Sequence, residues 1–294
     1  MFSETGDRRN TPHHGMADRP HAGASGYVEA GGVRLHYLDY GTAGRPSMLC
    51  LHGGGAHAHW FDFVAPDLAA DCHVLALDQR GHGDSAWADP PDYSYPRLVS
   101  DLAEVVDRLD LRNFVLVGHS LGGMVSLLYA AAHPGRVSRL VVIDSMQRIS
   151  EERVAVLRSV GSREGGSYDT LEEFVARYRL HPSSTYTRPE IVAYLAGYSA
   201  RRSADGRWRH KVDRRVYRDR HAVDGMPCWE RITIPALLIK GSRSTRISPV
   251  VAAEIRARCP QVEIVELCGS GHHVPLDNAA GVVGAIRTFL GRHA

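Results

Sequence analysis

Short apolar runs alternate with amphipathic stretches along most of this chain. Each run holds about five residues, a common length for a buried strand. In the stretches between them apolar side chains recur every three or four positions, as at Leu98, Leu102 and Val105, which predicts helices. Strands that alternate with helices predict an α/β protein whose mostly parallel sheet is covered by helices on both faces. The predicted buried strands are 47–51, 73–77, 114–117, 139–143, 235–240 and 262–267.

Two further strands, 27–30 and 33–40, precede this alternation. Gly31 and Gly32 separate them, and a glycine pair between two strand patterns predicts a hairpin. With the six buried runs they complete an eight-stranded sheet. The accompanying helices are expected at 60–70, 96–109, 124–132, 249–258 and 279–290.

The pattern changes between the fourth and fifth buried runs, where strand-like runs disappear. Helical spacing returns near 150–160, 169–180 and 188–199, and residues 201–220 are so dense in charge that we expect no sheet there. We therefore predict three parts in the chain. A helical cap, 146–230, is inserted into an α/β core of 26–145 and 231–294, and a polar disordered leader, 1–25, comes first.

The charged stretch from Arg201 to Arg220 holds nine basic residues against three aspartates. One interpretation is a solvated surface laced with ion pairs. The other is that one or two of these arginines face a pocket and bind an anionic substrate. The sequence leaves both interpretations open.

Composition narrows the range of functions. The 294 residues carry a net charge of only +2, which argues against a nucleic-acid partner. Five cysteines lack the spacing of a metal site, which indicates reduced thiols in a cytoplasmic protein. No apolar run approaches the ~18 residues that span a bilayer, so no membrane partner is expected.

The clearest chemical motif is the G-x-S-x-G pattern from Gly118 to Gly122, with Ser120 at its centre. It lies between the buried run 114–117 and a helical pattern, and strand, sharp turn and helix are the context that a nucleophile elbow requires. Such a turn exposes the serine hydroxyl at the end of the strand and at a helix N-terminus. An ordinary glycine-rich turn is the alternative, but the context favours Ser120 as a nucleophile.

With its Gly-His-Ser-Leu-Gly-Gly elbow, the chain resembles the α/β-hydrolase superfamily over about 27–145 and 231–292. That resemblance implies a catalytic histidine in a glycine-containing loop after the last strand. His272 occupies that place, and the adjacent His273 is the alternative. A serine hydroxyl needs such a base within hydrogen-bond reach before it becomes a good nucleophile.

The acid that orients this histidine is less obvious. The commonest family pattern has an aspartate after the penultimate strand, but residues 241–248 contain no carboxylate. A related arrangement takes the acid from the strand that follows the elbow helix, which here implies Asp144. Two alternatives stay open: Asp144 is only a hinge residue before the cap, or Ser120 and His272 work without a strong acid, at a cost of about ten-thousandfold.

An acyl-transfer enzyme also stabilises an oxyanion with backbone N–H groups. The residue after the nucleophile, Leu121, supplies one. The second is expected from the loop His52-Gly53-Gly54-Gly55 after the third strand, with Gly54 preferred to Gly55. His57 and His59 have an H-x-H spacing but no evident third ligand, so we expect neither a metal ion nor another cofactor.

The sequence thus predicts a serine hydrolase for a small ester, lactone or amide, working through a Ser-His-Asp triad and an acyl-enzyme. A carbon–carbon bond hydrolase of a diketone-like compound is the alternative within the same superfamily. A binding protein with a degenerate site, and cofactor-free chemistry other than hydrolysis, are alternatives of other classes. The expected partner is a small-molecule substrate, and a homodimer is the assembly left open.

Overall fold

A computed structural model describes residues 22–41, 43–183 and 186–293 of the chain. Most of the predicted leader, 1–21, lies outside the described residues. The strands are β1 (Ala24–Ala30), β2 (Val33–Asp39), β3 (Ser47–Leu51), β4 (His73–Leu77), β5 (Phe114–His119), β6 (Val137–Ile143), β7 (Arg148–Ile149), β8 (Ala200–Arg202), β9 (Trp208–His210), β10 (Val223–Asp224), β11 (Ala236–Gly241) and β12 (Val262–Leu267).

Helices connect most of these strands. The α-helices are α1 (Ala65–Leu68), α2 (Tyr95–Arg108), α3 (Leu121–Ala132), α4 (Glu151–Ser162), α5 (Leu171–Arg177), α6 (Pro189–Ser199), α7 (Arg215–Arg218), α8 (Pro249–Arg258), α9 (Val274–Asp277) and α10 (Ala279–Arg292), and two short 3₁₀ helices span Ala58–Phe61 and Met226–Arg231.

Within the described ranges, eight strands form one sheet in the order β1-β2-β4-β3-β5-β6-β11-β12. Strands β1 and β2 form the predicted hairpin, β2 is antiparallel to β4, and every other neighbouring pair is parallel. The prediction of a mostly parallel eight-stranded sheet is therefore confirmed. The parallel strands end at one edge, and side chains that follow them can meet there.

Helices cover both faces of this sheet, because its central strands are apolar on both sides. Alternate residues of β5 belong to two separate apolar clusters: Leu116 packs on the face covered by α2 and α3, and Val117 on the face covered by α10. All six residues of β5 are buried. The elbow strand thus lies at the centre of the core, where its position is strongly constrained.

The helix boundaries follow local capping chemistry. Helix α2 begins after Ser94, whose side chain accepts a hydrogen bond from the Arg97 N–H, and Pro96 occupies its first turn. Asn278 caps α10 through the Gly281 N–H in the same way. Each cap satisfies an N–H group that the first helical turn leaves without a partner.

The structure differs from the predicted elements in three places. Strand β1 begins at Ala24, earlier than predicted, since this part of the hairpin pairs with β2 as far as Asp39. The predicted helix 60–70 is split into the 3₁₀ turn Ala58–Phe61 and the short α1, which has Pro66 in its first turn.

The third difference lies in the charged stretch 201–220, where we expected no strand pairing. That expectation is wrong locally, because β8 and β9 pair there as an antiparallel ribbon. Gly206 has a positive φ of 81° in the connecting turn, which lets the chain reverse between the two short strands. The ribbon tolerates charge because Arg201 and Arg202 are exposed, while Ala200 and Trp208 pack in an apolar cluster. The segment from β7 to β10 contributes no described residue to the main sheet.

Among the residues that the structure describes, none of the helices combines the length and the apolar character that crossing a bilayer requires.

Candidate active site

Ser120 lies in a sharp turn between β5 and α3, with φ 51° and ψ −111°. A positive φ is rare for a residue with a side chain, and such backbone strain costs about 1–3 kcal/mol. The turn is possible because a Cβ on Gly122 would lie 2.3 Å from the Leu51 carbonyl oxygen and a Cβ on Gly118 2.3 Å from that of Gly122. These glycines let the backbones pack closely, so the G-x-S-x-G pattern has a steric cause.

The Ser120 hydroxyl reaches the imidazole of His272. The distance from Ser120 Oγ to His272 Nε2 is 3.0 Å, and His272 Nδ1 lies 2.8 Å from Asp144 Oδ2. Because a carboxylate only accepts hydrogen bonds, Nδ1–H donates to Asp144 and Nε2 is free to accept from the serine. An alcohol, an imidazole and a carboxylate are therefore connected in series across three segments of the chain.

The loop that carries His272 is held by two further contacts. His119, next to the elbow serine, donates from Nε2 to the His272 carbonyl oxygen at 2.8 Å. The Asp277 carboxylate accepts from the Gly271 N–H at 2.8 Å. Both contacts fix the backbone on either side of the imidazole, so the position of His272 does not depend on its two side-chain bonds alone.

Asp144 follows β6 directly and is fully buried. The Ser244 hydroxyl donates to its Oδ2 at 2.5 Å, and the Gly241 N–H donates to its Oδ1 at 3.2 Å. Both donors come from the end of β11 and the loop after it, where the commonest family pattern has its aspartate. That loop supports the carboxylate of Asp144 instead of carrying one itself.

Burial shifts the pKa values of this trio. It lowers the pKa of His272 well below its usual range, and the nearby Arg246 guanidinium lowers it further, since both disfavour the imidazolium. Burial also raises the pKa of the Asp144 carboxyl, while the Ser244 and Gly241 donors act in the opposite direction. A neutral His272 is the form that can accept a proton from Ser120.

Gly54 and Leu121, the predicted oxyanion donors, line the same cavity as Ser120. In the hydrogen-bond network of the described residues, the N–H groups of Leu121 and Gly54 have no acceptor. His52 anchors the Gly54 loop, because its carbonyl oxygen accepts from the Gly122 N–H and its Nε2 accepts from the Gln79 N–H, at 3.1 and 3.0 Å. Gly54 and Leu121 are thereby held beside each other, and a Cβ on Gly54 would lie 3.9 Å from Leu121 Cβ.

Other histidines near the site are occupied elsewhere. His273 Nε2 donates to the Pro182 carbonyl oxygen at 2.9 Å, so this nitrogen already has a partner other than Ser120. His57 bonds the Ser199 hydroxyl, and His59 bonds Asp62. The H-x-H pair therefore serves two separate hydrogen-bonded networks.

One group of possible metal ligands does occur in the described chain. His36, Asp78 and Asp84 offer atoms that lie within 4.8 Å of one another. Asp78 already accepts from His36 and from the backbone N–H groups of Ala58 and Asp84. The group thus has an evident structural role, and the absence of a metal cofactor stays a prediction.

A cavity of about 790 Å³ lies over Ser120, Leu121 and His272. Trp60 and Trp87 line it, whereas Trp208 packs in an apolar cluster around α5 and α6. Its remaining wall comes largely from the segment between β6 and β11. A cavity of this size is typical of small-molecule sites.

Comparison with known proteins assigns the chain to a family. The sequence model of the family described as alpha/beta hydrolase fold matches residues 46–279. The chain therefore belongs to this family, and it is an enzyme of the α/β-hydrolase type.

Individual relatives agree with this assignment. The chain is 30% identical to Esterase Rv0045c of Mycobacterium tuberculosis, over 90% of this chain and 88% of the esterase. It is 28% identical to N-formylmaleamate deformylase of Pseudomonas putida, over 91% of this chain and 96% of the deformylase. The solved structure of E-2-(acetamidomethylene)succinate hydrolase superposes with a TM-score of 0.80 at 24% identity, covering 92% of this chain and 100% of that one, which supports the fold.

Proposed function

We propose that the protein is a serine hydrolase that cleaves a small ester, lactone or amide through an acyl-enzyme. The observation that carries this proposal is the series Ser120 Oγ, His272 Nε2 and Nδ1, and Asp144 Oδ2, with contacts of 3.0 and 2.8 Å. These distances lie within the reach that a nucleophile, its base and the orienting group require.

In the first half of the reaction, Ser120 Oγ attacks the substrate carbonyl carbon while His272 Nε2 takes the hydroxyl proton. Asp144 holds the Nδ1–H tautomer and stabilises the imidazolium that forms. The N–H groups of Leu121 and Gly54 stabilise the negative oxygen, and each such donor is worth about 3–4 kcal/mol. His272 then protonates the leaving group, and the acyl group remains on Ser120.

Water completes the reaction. His272 Nε2 takes a proton from a water molecule, the resulting hydroxide attacks the acyl carbon, and Ser120 leaves with the proton from the imidazolium. The cavity over these residues has room for a small substrate, and binding there places the scissile carbonyl next to Ser120. No group beyond these side chains, backbone donors and water is needed to balance the steps.

An amide is the second candidate substrate. It is favoured by the likeness to the deformylase, which covers nearly the full length of both chains. The same acyl-enzyme route serves an amide, with His272 protonating the leaving nitrogen. The carbon–carbon bond hydrolase remains the alternative within the same architecture.

A fluorophosphonate probe and p-nitrophenyl butyrate together test the proposal. We expect the probe to label wild-type protein at Ser120, and the ester to be turned over with release of p-nitrophenol. Ser120→Ala should abolish both while its melting temperature stays within a few degrees of the wild type. Ser126→Ala, a buried serine in α3, is the matched control and should keep labelling. Labelling of Ser120→Ala, or ester turnover that survives it, would contradict the role of Ser120.

A further inference from the structure

The cavity over Ser120 is strongly cationic. Among the described residues, eight arginines line it against only two carboxylates, Glu164 and Asp213. Two of the arginines are neutralised from outside the cavity, because Arg177 pairs with Glu173 and Arg209 with Asp205. The remaining arginines have no ion-pair partner in the described chain, so the cavity wall carries uncompensated positive charge.

Arg220 is the most unusual of these arginines. It is only 4% exposed, yet no carboxylate among the described residues pairs with it. Its Nη1 atom is buried without a hydrogen-bond partner. The guanidinium lies over the Tyr95 ring, 5.2 Å from its centre, and Tyr95 also lines the cavity. A buried guanidinium thus borders the cavity with donor capacity left unused.

The backbone around Arg220 is held firmly. Arg158 donates from Nε and Nη2 to the Arg220 carbonyl oxygen, at 3.2 and 2.9 Å. Tyr217, one turn earlier, reaches the oxyanion loop, since a Cβ on Gly55 would lie only 2.0 Å from Tyr217 Oη. The segment that carries Arg220 therefore packs directly against the loop that carries Gly54.

An unpaired buried cation is costly. Removing an ion from water carries a large free-energy penalty, which is recovered only when an opposite charge with good geometry is present. The Tyr95 ring offsets only part of this penalty, because the face of an aromatic ring attracts a cation more weakly than an opposite charge does. The remainder is recovered if an anion from the substrate pairs with Arg220. A planar guanidinium fork fits a carboxylate with two parallel hydrogen bonds.

We propose that the substrate carries a carboxylate group and that Arg220 binds it inside the cavity. This inference rests on the proposed hydrolase function of the same cavity and specifies its substrate class. Arg220 acts there as a specificity-determining residue: it places the carboxylate, and thereby the scissile carbonyl, relative to Ser120.

Matched pairs of esters test this proposal. p-Nitrophenyl hydrogen glutarate ends its acyl chain in a carboxylate, whereas p-nitrophenyl valerate ends in a methyl group at the same position. If the carboxylate belongs to the leaving group, 4-acetoxybenzoate against 4-methylphenyl acetate makes the same comparison. We expect wild-type kcat/KM to favour the carboxylate in at least one pair by about tenfold to a hundredfold, the usual value of a charged hydrogen bond.

Arg220→Met should reduce this ratio to near one, because the substitution removes the guanidinium but keeps a long apolar side chain. Arg220→Lys keeps the charge without the planar fork and should retain only part of the preference. Arg209→Met is the matched control: it also lines the cavity, but Asp205 already pairs with it, so the ratio should persist. A wild-type ratio near one in both pairs, or a preference that survives Arg220→Met, would overturn the proposal.

A melting experiment gives a readout that does not depend on turnover. Valerate at about ten times its Kd should raise the melting temperature of the wild type by about 2 °C or more, and the neutral valeramide should not. Arg220→Met should lose the response to valerate. Without ligand, the variant should melt at or above the wild-type temperature, since it removes an unpaired buried charge.

The two experiments separate the two proposals. Should the wild type hydrolyse none of the four esters, the serine hydrolase proposal fails, and the melting response to valerate still decides whether Arg220 binds a carboxylate. A valerate response that persists in Arg220→Met, or a ligand-free melting temperature several degrees below the wild type, assigns Arg220 a structural role. If the Met variant does not fold, the Lys variant decides through the same ratio and the same response.

Discussion

The Ser244 hydroxyl lies 2.5 Å from Asp144 Oδ2 and donates a hydrogen bond to it. Asp144 directly follows β6, and Ser244 follows β11, the hydrogen-bonded neighbour of β6 in the sheet. The two side chains thus meet although 100 residues separate them. Ser244 lies in the loop after the penultimate strand, where the commonest family pattern has the catalytic aspartate, and from there it contacts the Asp144 carboxylate.

This contact predicts that the acid can be moved. Asp144→Asn should lower kcat by up to about ten-thousandfold, because an amide leaves His272 in the wrong tautomer. Adding Ser244→Asp to that variant introduces a carboxylate within one hydrogen-bond length of the lost one. We expect the double variant to recover at least about tenfold in kcat over Asp144→Asn, measured with a neutral p-nitrophenyl ester.

Ser242→Asp in the Asp144→Asn background is the control for this exchange. Ser242 lies in the same loop, but its hydroxyl accepts from the Gly269 N–H and does not contact Asp144. Equal recovery by both double variants would mean that any negative charge nearby suffices. If Asp144→Asn lowered kcat by less than about tenfold, the acid that orients His272 would have to be another residue.

The pH dependence of catalysis should reflect the environment of His272. Burial and the Arg246 guanidinium hold the pKa of His272 well below its usual range. The base is neutral above its pKa and lost when it is protonated, so kcat/KM should fall on the acid side only below pH ~6.5. Arg246→Gln removes a positive charge, which raises the pKa of His272 and moves this acid limb to higher pH.

The Arg246 measurement should use a neutral ester, so that substrate binding to arginine does not contribute. Arg243→Gln is the matched control, because Arg243 is exposed in the same loop and lies over the Tyr186 ring. An unchanged acid limb in Arg246→Gln, or the same shift in Arg243→Gln, would show that Arg246 does not set the pKa of His272.

Close packing at the elbow should make Gly122 intolerant of a methyl group. A Cβ there would lie 2.3 Å from the Leu51 carbonyl oxygen and 2.7 Å from that of His52. Gly122→Ala should lower the free energy of unfolding by at least about 1–3 kcal/mol, the usual cost of overpacking. Chemical denaturation measures this loss.

Gly284→Ala provides the opposite expectation for the same substitution. Gly284 lies in α10, and a Cβ there meets no atom within 4 Å. Alanine should stabilise that helix by about 0.5–1 kcal/mol, because glycine is the poorer helix former. A Gly122→Ala protein as stable as the wild type would mean that the elbow can relax around the added methyl group.

The buried ion pair of Arg80 and Asp101 should contribute strongly to stability. The two side chains are 3% and 5% exposed, and two hydrogen bonds join them. Asp101→Asn leaves the Arg80 cation without its counter-charge, so the free energy of unfolding should fall by about 3–5 kcal/mol.

Asp110→Asn is the control for that variant. Asp110 pairs with Arg112, but both side chains are about three-quarters exposed, and such pairs are worth about 0–1 kcal/mol. If Asp101→Asn and Asp110→Asn lowered the free energy of unfolding by similar amounts, burial would not explain the contribution of the Arg80–Asp101 pair. Urea denaturation of both variants at neutral pH makes the comparison.

Much of the sheet was predictable because its strands are buried on both faces. Strand β12 and helix α8 have the predicted bounds, and the G-x-S-x-G turn marked the end of β5. The predicted helix 60–70 was less accurate, since a continuous helical spacing does not reveal where a 3₁₀ turn replaces α-helix. The ribbon β8–β9 was missed because exposed strands carry no apolar alternation.

The positions of the candidate residues were predictable where a residue follows a strand directly, as Ser120 and Asp144 do. The contact of Ser244 with Asp144 gave no signal, because it depends on which two strands are neighbours in the sheet. Arg220 belongs to the charged stretch 201–220, for which the sequence left two interpretations open, a solvated surface or arginines that face a pocket. Only its burial without a counter-ion distinguishes it from the other arginines nearby.

The neighbourhood of β6 and β11 has a consequence for how such chains are recognised. If Ser244→Asp restores activity to Asp144→Asn, a carboxylate after either strand can serve the same imidazole. The acid could then change places during evolution between two positions that are remote in sequence but adjacent in space. A motif search that requires an aspartate in residues 241–248 would then classify this chain as an inactive member of the family. Active members of the family should therefore be identified from the position of the acid in the three-dimensional structure.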